Sequence, residues 1–308
     1  MKIIEPIDYL ASIFFKYCNR FPFTINFIRH PFYDQVKGKY LKLTYKFHND
    51  LQLVGVNINK NLKFKIYCKG NDGLTNMDII MFRSYKYEQE IIDFILSNLS
   101  LDDTFIDIGA NIGFFSLMAA AILNNNGQVH AFEPVSTTFT QMEKSVKVNS
   151  FNNINCYQKA TGNEKKNLEI NINKESGHNS ISFDRDHTQI KEEIQLDMID
   201  NIIKAKNDNF FIKIDTEGYE YETFLGMENL LKTNKCKIVF EFTPSFYSKV
   251  DYIKSLKILD LLNSLGYELY EIDKAQQRKI TTNESYVKEF SLDYYSSHKT
   301  QVNIYAHN

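Results

Sequence analysis

The chain has 308 residues, 43% hydrophobic and 24% charged, which is ordinary for a globular protein and enough for one large core or two modest ones. A formal net charge of −2 removes the simplest case for nonspecific nucleic-acid binding, which needs a basic surface, so the expected partner is a small molecule or glycan and not a nucleic acid. Cys18, Cys68, Cys156 and Cys236 show no metal-ligand spacing and suit reduced thiols in a cytoplasmic protein.

Glu5, Asp8 and Lys16 interrupt the first apolar run, so the N-terminus does not read as a secretory signal. No stretch approaches the roughly 20 apolar residues that a membrane span needs. Residues 13 to 32 mix aromatic side chains with Lys16, Arg20, Arg29 and His30, and Pro22 splits them into two pieces. That composition suits either contact with a membrane surface or an amphipathic helix packed on the domain. Two alternating runs follow, "YLKLTYKF" and "LKFKIYC", which are expected to be antiparallel strands with one wet face. Residues 1 to 85 therefore read as an α+β extension that could cover the substrate.

From residue 86 to 308, apolar strands alternate with helical patterns, the signature of a parallel α/β sheet. The strands are "TFIDIG", "QVHAFEP", "INCYQKA", "FFIKIDT" and "CKIVFEF", and the helices are expected over 113–123, 136–150, 220–232 and 252–264. Gly266 stands where a helix C-terminus wants a left-handed residue. "YELYEID" and "QVNIYAHN" then finish the sheet as a hairpin. The expected fold is a Rossmann-like domain of seven strands with an antiparallel last strand.

The first of these strands ends in "DIGANIGF", where Asp107 precedes a turn holding Gly109, Ala110, Asn111, Gly113 and Phe114. Ligands of open α/β sheets bind beyond the strand carboxyl ends, and a helix N-terminus points at the same spot. The next strand ends in Glu133 and Pro134, and Glu133, 20 residues past Gly113, could accept both hydroxyls of a ribose. The turn reads D-x-G-x-N-x-G and lacks the third glycine of a dinucleotide site. A carboxylate there repels pyrophosphate and suits a ligand bearing an ammonium and a sulfonium, which makes S-adenosylmethionine the natural candidate. A nicotinamide-dependent oxidoreductase shares Glu133 but not the glycine spacing, and the glycines could also be no more than a tight turn.

A later strand repeats this logic in "FFIKIDTEGYEYETFLG", which delivers Asp215 to the same edge, followed by Glu217, Gly218 and Glu220. Crowded carboxylates raise each other's pKa and are tolerated where a base, a metal or a cationic ligand uses them. Glu220 also fits a helix N-terminal acid that complements the dipole. Glu241 is a further acid on this rim, and a divalent cation could bridge Asp215 and Glu241.

"FIDIGANIGFFSL", "AFEP", "GHNSIS" and "IKIDTEGYE" with "FLG", in that order, resemble the FkbM family of S-adenosylmethionine-dependent methyltransferases over residues 87 to 244, about half the chain. The resemblance implies a class I methyltransferase fold and methyl transfer to oxygen, commonly on a sugar or natural-product hydroxyl. It also implies roles at matching positions. Asp107, Gly109, Asn111 and Gly113 would line the methionine and ribose end, and Glu133 would hold the ribose. Ala160 and Thr161 would border the adenine, Glu88 would lie near the cofactor, and Asp215 and Glu217 would face the reaction centre.

A sugar hydroxyl is a poor nucleophile, so a base is needed. Asp215 is the first choice and Glu217 the second, while His178 in "GHNSIS" could serve as base or sugar contact. An amino-methylating enzyme on nucleic acid would want a [DN]-P-P-[YF] loop, and "EFTPSF" lacks the doublet. A noncatalytic cofactor-binding module is the remaining alternative. Phe82, Tyr85 and Tyr87 could line an acceptor groove, although most aromatics only pack.

Overall fold

The computed structural model describes residues 51–69 and, from 88 to 308, all but 125, 174–175, 183, 185–186, 207, 245–252, 274–275, 282 and 291–299. "YLKLTYKF", residues 13–32, Cys18, Phe82, Tyr85 and Tyr87 lie outside the described residues. The chain divides into two units, one ending at Gln89 and one beginning at Glu90.

In the first unit, β1 (Leu51–Asn57) and β2 (Lys63–Lys69) form an antiparallel hairpin in which Val54 faces Ile66 and Val56 faces Phe64. Val54, Val56, Phe64, Ile66 and Cys68 are buried while Leu53 and Lys65 are exposed, so the period-2 alternation sets the faces. Asn59 shapes the turn by accepting the Asn61 and Leu62 N–H groups, both at 2.9 Å.

The second unit is reached through α1 (Gln89–Asn98), which buries Ile91, Ile92, Phe94 and Ile95. β3 (Thr104–Ile108), α2 (Phe114–Leu123), β4 (Val129–Phe132), α3 (Ser136–Asn149) and β5 (Ile154–Tyr157) follow as two βαβ crossovers. The predicted strand "INCYQKA" stops at Tyr157, and its end becomes β6 (Ala160–Thr161) of a separate sheet. β7 (Lys166–Asn171) and β8 (Lys191–Asp197) complete that sheet in the order β6-β8-β7. α4 (Ile199–Ile202) leads back to the main sheet through β9 (Asn209–Ile214).

The helix expected over 220–232 is two, α5 (Glu220–Leu225) and α6 (Glu228–Thr233). Gly226 separates them, and a Cβ there would stand 1.8 Å from the Gly162 carbonyl oxygen, so two backbones touch where the helix breaks. Asp200 caps the restart by accepting the Asn229 and Leu230 N–H groups at 2.9 and 2.8 Å.

β10 (Lys235–Phe242), α7 (Ile253–Ser264), β11 (Glu268–Asp273), β12 (Gln276–Lys279), α8 (Asn283–Val287) and β13 (Val302–His307) end the chain. Gly266 has φ +85°, and the Gly266 and Tyr267 N–H groups reach back to the Asn263 and Leu262 carbonyls, closing α7 in a Schellman motif.

The main sheet runs β12-β11-β13-β10-β9-β3-β4-β5. β13 is antiparallel to β10 and β11, as expected for the late hairpin, and β12 adds an eighth strand at the edge. The chain passes from β3 outward to β4 and β5, then returns to β9 on the other side of β3. The carboxyl ends of β3 and β9 therefore flank the topological switch point where ligands bind. β9 is covered on both faces, with Phe210, Phe211, Ile212 and Ile214 at most 1% exposed.

Candidate active site

At the switch point β3 leaves the sheet at Gly109, φ +77°, and turns through Asn111, φ +51°, and Gly113, φ +89°, before α2 begins. The Gly109 and Ala110 N–H groups both donate to the Phe132 carbonyl, at 3.0 and 2.9 Å. A Cβ at Gly109 would lie 1.7 Å from the Asp215 carbonyl oxygen, and one at Gly113 would lie 2.6 Å from Met142 Cγ. The glycines thus admit the protein's own neighbours: they press the turn onto the end of β9 and onto α3. Ala110 packs against Ala131 and Met142, and Phe114 meets Phe115 edge-on at 5.1 Å.

Asp107 is 1% exposed, with Oδ2 accepting the Ser116 hydroxyl of α2 at 2.6 Å and Oδ1 without a hydrogen-bond partner. Burial pushes its carboxyl above the usual aspartate range, while the Lys213 ammonium and the Ser116 hydroxyl pull it back.

Glu133 grips the turn from the neighbouring strand. Its Oε2 accepts the Asn111 N–H at 2.8 Å, and its Oε1 accepts the Val135 N–H and the Thr138 hydroxyl at 2.9 and 2.8 Å. An ionised carboxylate has about four acceptor positions, so roughly one remains for a ligand hydroxyl. Burial pushes the Glu133 carboxyl up to about 7, against the pull of those three donors. Pro134 follows, half-buried. Ala160, buried, packs with Val135 and Leu196, and the Thr161 hydroxyl is 2.9 Å from that of Thr223. Glu88 belongs to the first unit, just ahead of the body of α1.

The acids of the later strand divide by role. Glu220 is 5% exposed, and its Oε1 accepts the Thr216 N–H, the Thr216 hydroxyl and the Gly218 N–H, at 3.1, 2.9 and 3.1 Å. It locks the turn that holds Glu217, φ +52°, and Gly218, φ +94°. Asp215, Glu217 and Glu241 are half-buried, and one carboxylate oxygen from each lies within 4.8 Å of the others. Asp215 also pairs with Lys213, whose Nζ is 3.0 Å from Oδ2. The Asp215 N–H donates to the Ile108 carbonyl at 3.0 Å, which ties this acid to the glycine turn.

"GHNSIS" joins the same place. Ser180 and Ser182 donate from their hydroxyls to the Glu217 and Gly218 carbonyls at 2.6 and 2.9 Å. A Cβ at Gly177 would approach Asn111 Nδ2 at 3.9 Å. The loop carrying His178 therefore sits against both motifs. Sequence reading missed Lys213, Ser116 and Thr138. A charge inside the otherwise apolar "FFIKI" is the signal that could have pointed to Lys213.

S-adenosylmethionine fits this donor set: carboxylates at Asp107, Glu133 and Asp215 suit cationic and hydroxyl groups, and the Asn111 side-chain oxygen is buried without a hydrogen-bond partner. Among the described residues no helix is long and apolar enough to cross a membrane.

Residues 107–269 match the family model described as the methyltransferase FkbM domain. No curated protein sequence matches the chain. Among solved structures, the chain is similar to a precorrin-6y C5,15-methyltransferase from Geobacter metallireducens, with 15% identity, TM-score 0.37 and coverage of 71% of this chain and 89% of that one. A SAM-dependent O-methyltransferase from Thermotoga maritima aligns with 11% identity and TM-score 0.38, over 72% of this chain and 64% of that one. An rRNA methylase from Streptococcus thermophilus aligns with 9% identity and TM-score 0.36, over 70% and 92%. Because the family match begins at Asp107 of the glycine turn and runs through the Asp215 turn, covering more than half the chain, the protein belongs to the FkbM family of S-adenosylmethionine-dependent methyltransferases.

Proposed function

We propose that the chain methylates a hydroxyl oxygen of a sugar, glycan or other hydroxyl-rich small metabolite. The observation that carries this reading is the trio Asp215, Glu217 and Glu241, whose carboxylate oxygens lie within 4.8 Å of one another beside the glycine turn. Carboxylates can accept the proton of an acceptor hydroxyl.

S-adenosylmethionine supplies an electrophilic methyl; the chain's own residues bind and orient both partners. Asn111 and Glu133 hold the ribose end, and Ala160 and Thr161 border the adenine. Asp215, with Glu217 as second choice, takes the proton of the acceptor oxygen held about 3 Å from the methyl carbon. His178 lies on the docked loop as an acceptor contact, and the protein works in the cytoplasm.

The test is calorimetric binding of S-adenosylmethionine, then release of S-adenosylhomocysteine over a panel of free sugars and sugar nucleotides. Turnover with a hydroxyl acceptor supports the reading, and turnover confined to amines or nucleic acid sinks it. Because Lys213 already engages one Asp215 oxygen, turnover is expected to survive EDTA. Loss on chelation, restored by Mg²⁺, would instead assign the acid trio to a divalent cation.

Glu133 supplies a pH signature. Its folded carboxyl sits near 7 against an ordinary 4.5, so the native chain keeps a proton that the unfolded chain has released between those values. Its contribution to stability is full below about pH 4.5 and is lost as pH rises through 7. A ribose hydroxyl donating to the ionised form pulls the carboxyl down. Cofactor binding at pH 6.5 should therefore release protons, seen as a binding enthalpy that varies with the buffer's ionisation enthalpy, and Glu133→Gln should remove that variation. A buffer-independent enthalpy in the wild type would take Glu133 off the ribose.

A further inference from the structure

Lys213 lies within "IKIDTEGYE" but is given no part in the proton transfer proposed above. It stands one residue before the end of β9, between β3 and β10, at 5% exposure. Lysine is almost never this buried unless it is paired, and a lysine in a central strand forgoes hydration that an aliphatic side chain there would never need. In register it lies opposite Asp107 on β3 and Val239 on β10. Its Nζ is 3.0 Å from Asp215 Oδ2 and 4.9 Å above the Phe115 ring of α2. Its charge acts on Asp107, as the rise in the Asp107 carboxyl opposed by Lys213 reflects. The ammonium is therefore set between the acid of the glycine turn and the acid at the end of β9, and the backbones of those two segments are themselves bonded through Asp215 N–H and Ile108 O.

From this placement, and resting on the methyl-transfer reading above, we infer that Lys213 is a positioning residue that sets the charge felt at the sulfur end of the cofactor. Without it, the half-buried Asp215 carboxylate would face a sulfonium uncompensated and hold the charged methyl donor disproportionately tightly. Tight binding of the charged ground state slows a reaction whose transition state disperses that charge. With Lys213 in place, one carboxylate is balanced and the second oxygen of Asp215 is left to the acceptor hydroxyl. The side chain thereby narrows the affinity gap between S-adenosylmethionine, which carries the positive sulfur, and S-adenosylhomocysteine, which does not.

The experiment needs no acceptor. Dissociation constants for S-adenosylmethionine and S-adenosylhomocysteine are measured calorimetrically on the full chain for wild type, Lys213→Met, Lys213→Arg and the double variant Lys213→Met with Asp215→Asn. Removing the unit charge that is paired with Asp215 should raise the preference for S-adenosylmethionine over S-adenosylhomocysteine about tenfold in Lys213→Met. Lys213→Arg keeps the charge, and the double variant removes one carboxylate with the ammonium, so both should stay within about threefold of the wild-type ratio. If Lys213→Met does not fold, Lys213→Gln removes the charge while keeping a donor for Asp215, and the same tenfold change in ratio is expected. Equal weakening of both ligands, with the ratio unchanged, would make Lys213 a packing residue and overturn the inference. Wild-type chain that binds neither ligand would instead overturn the methyl-transfer reading on which the inference rests.

Discussion

Alanine at Gly109 is expected to destabilise the second unit by at least about 3 kcal/mol in urea unfolding and to abolish S-adenosylmethionine binding. Two independent faults add at this position. The backbone sits at φ +77°, where a Cβ costs roughly 1–2 kcal/mol. The new carbon would also stand 1.7 Å from the Asp215 carbonyl oxygen and 2.8 Å from its carbon, and backbone cannot rotate out of the way as a side chain can. Relief requires β3 and β9 to separate at their ends. That strains the Asp215 N–H to Ile108 O bond and the paired Gly109 and Ala110 bonds to Phe132 O, each worth about 1 kcal/mol. Gly266→Ala is the control: it shares a left-handed backbone, φ +85°, but nothing lies within 4 Å of its added carbon. It should lose only the conformational part. Equal losses in the two variants would show that close approach at Gly109 is not what fixes the turn.

This contrast also marks what the sequence made legible. The order of strands and the late antiparallel pair follow from apolar runs and helical spacings, because a sheet covered on both faces writes near-continuous apolar strands. The three-stranded sheet was hidden for the opposite reason. In β8, "KEEIQLD", exposed Lys191, Glu193 and Gln195 alternate with more buried neighbours, and only Ile194, Leu196 and Asp197 are fully covered. One covered side on a short charged strand reads as loop. The break at Gly226 escaped because its cause, the Gly162 carbonyl, lies far away in sequence.

At the site, motif spacing located the acids but not their duties. Asp107, Glu133 and Asp215 look alike in sequence, each an acid at or just past the end of an apolar strand, with Glu220 close behind at a helix start. Burial and partners separate them: Asp107 faces Ser116, Glu133 holds three donors, Glu220 locks a turn, and Asp215 remains half-exposed beside Lys213. Some partners are local, such as Lys213 two residues from Asp215, but the Asn111 N–H reaches Glu133 across 22 residues, and no local pattern encodes such a distance.

That separation of duties makes Asp215→Asn the sharpest test of the chemistry. With the hydroxyl acceptor found by the panel, turnover should fall by about 10² to 10⁴, the usual worth of a positioned general base. S-adenosylhomocysteine binding should change by less than about fivefold, because asparagine keeps the shape at the turn and the backbone bond to Ile108 is untouched. Some stability is also expected to go, since Lys213 at 5% exposure loses its nearest carboxylate, with Asp107 left to balance it. Thermal unfolding of the liganded variant distinguishes this cost from the loss of chemistry. Glu217→Gln provides the comparison, because its carboxylate belongs to the same trio but sits within the turn that Glu220 locks. It should lose no more than about tenfold if Asp215 is the base. A reversal, with Glu217→Gln inactive and Asp215→Asn near wild type, would move the proton to Glu217 and leave Asp215 to orient the acceptor. Equal and small losses in both would mean that the acceptor hydroxyl reaches the methyl carbon without a carboxylate base, and that orientation alone carries the reaction.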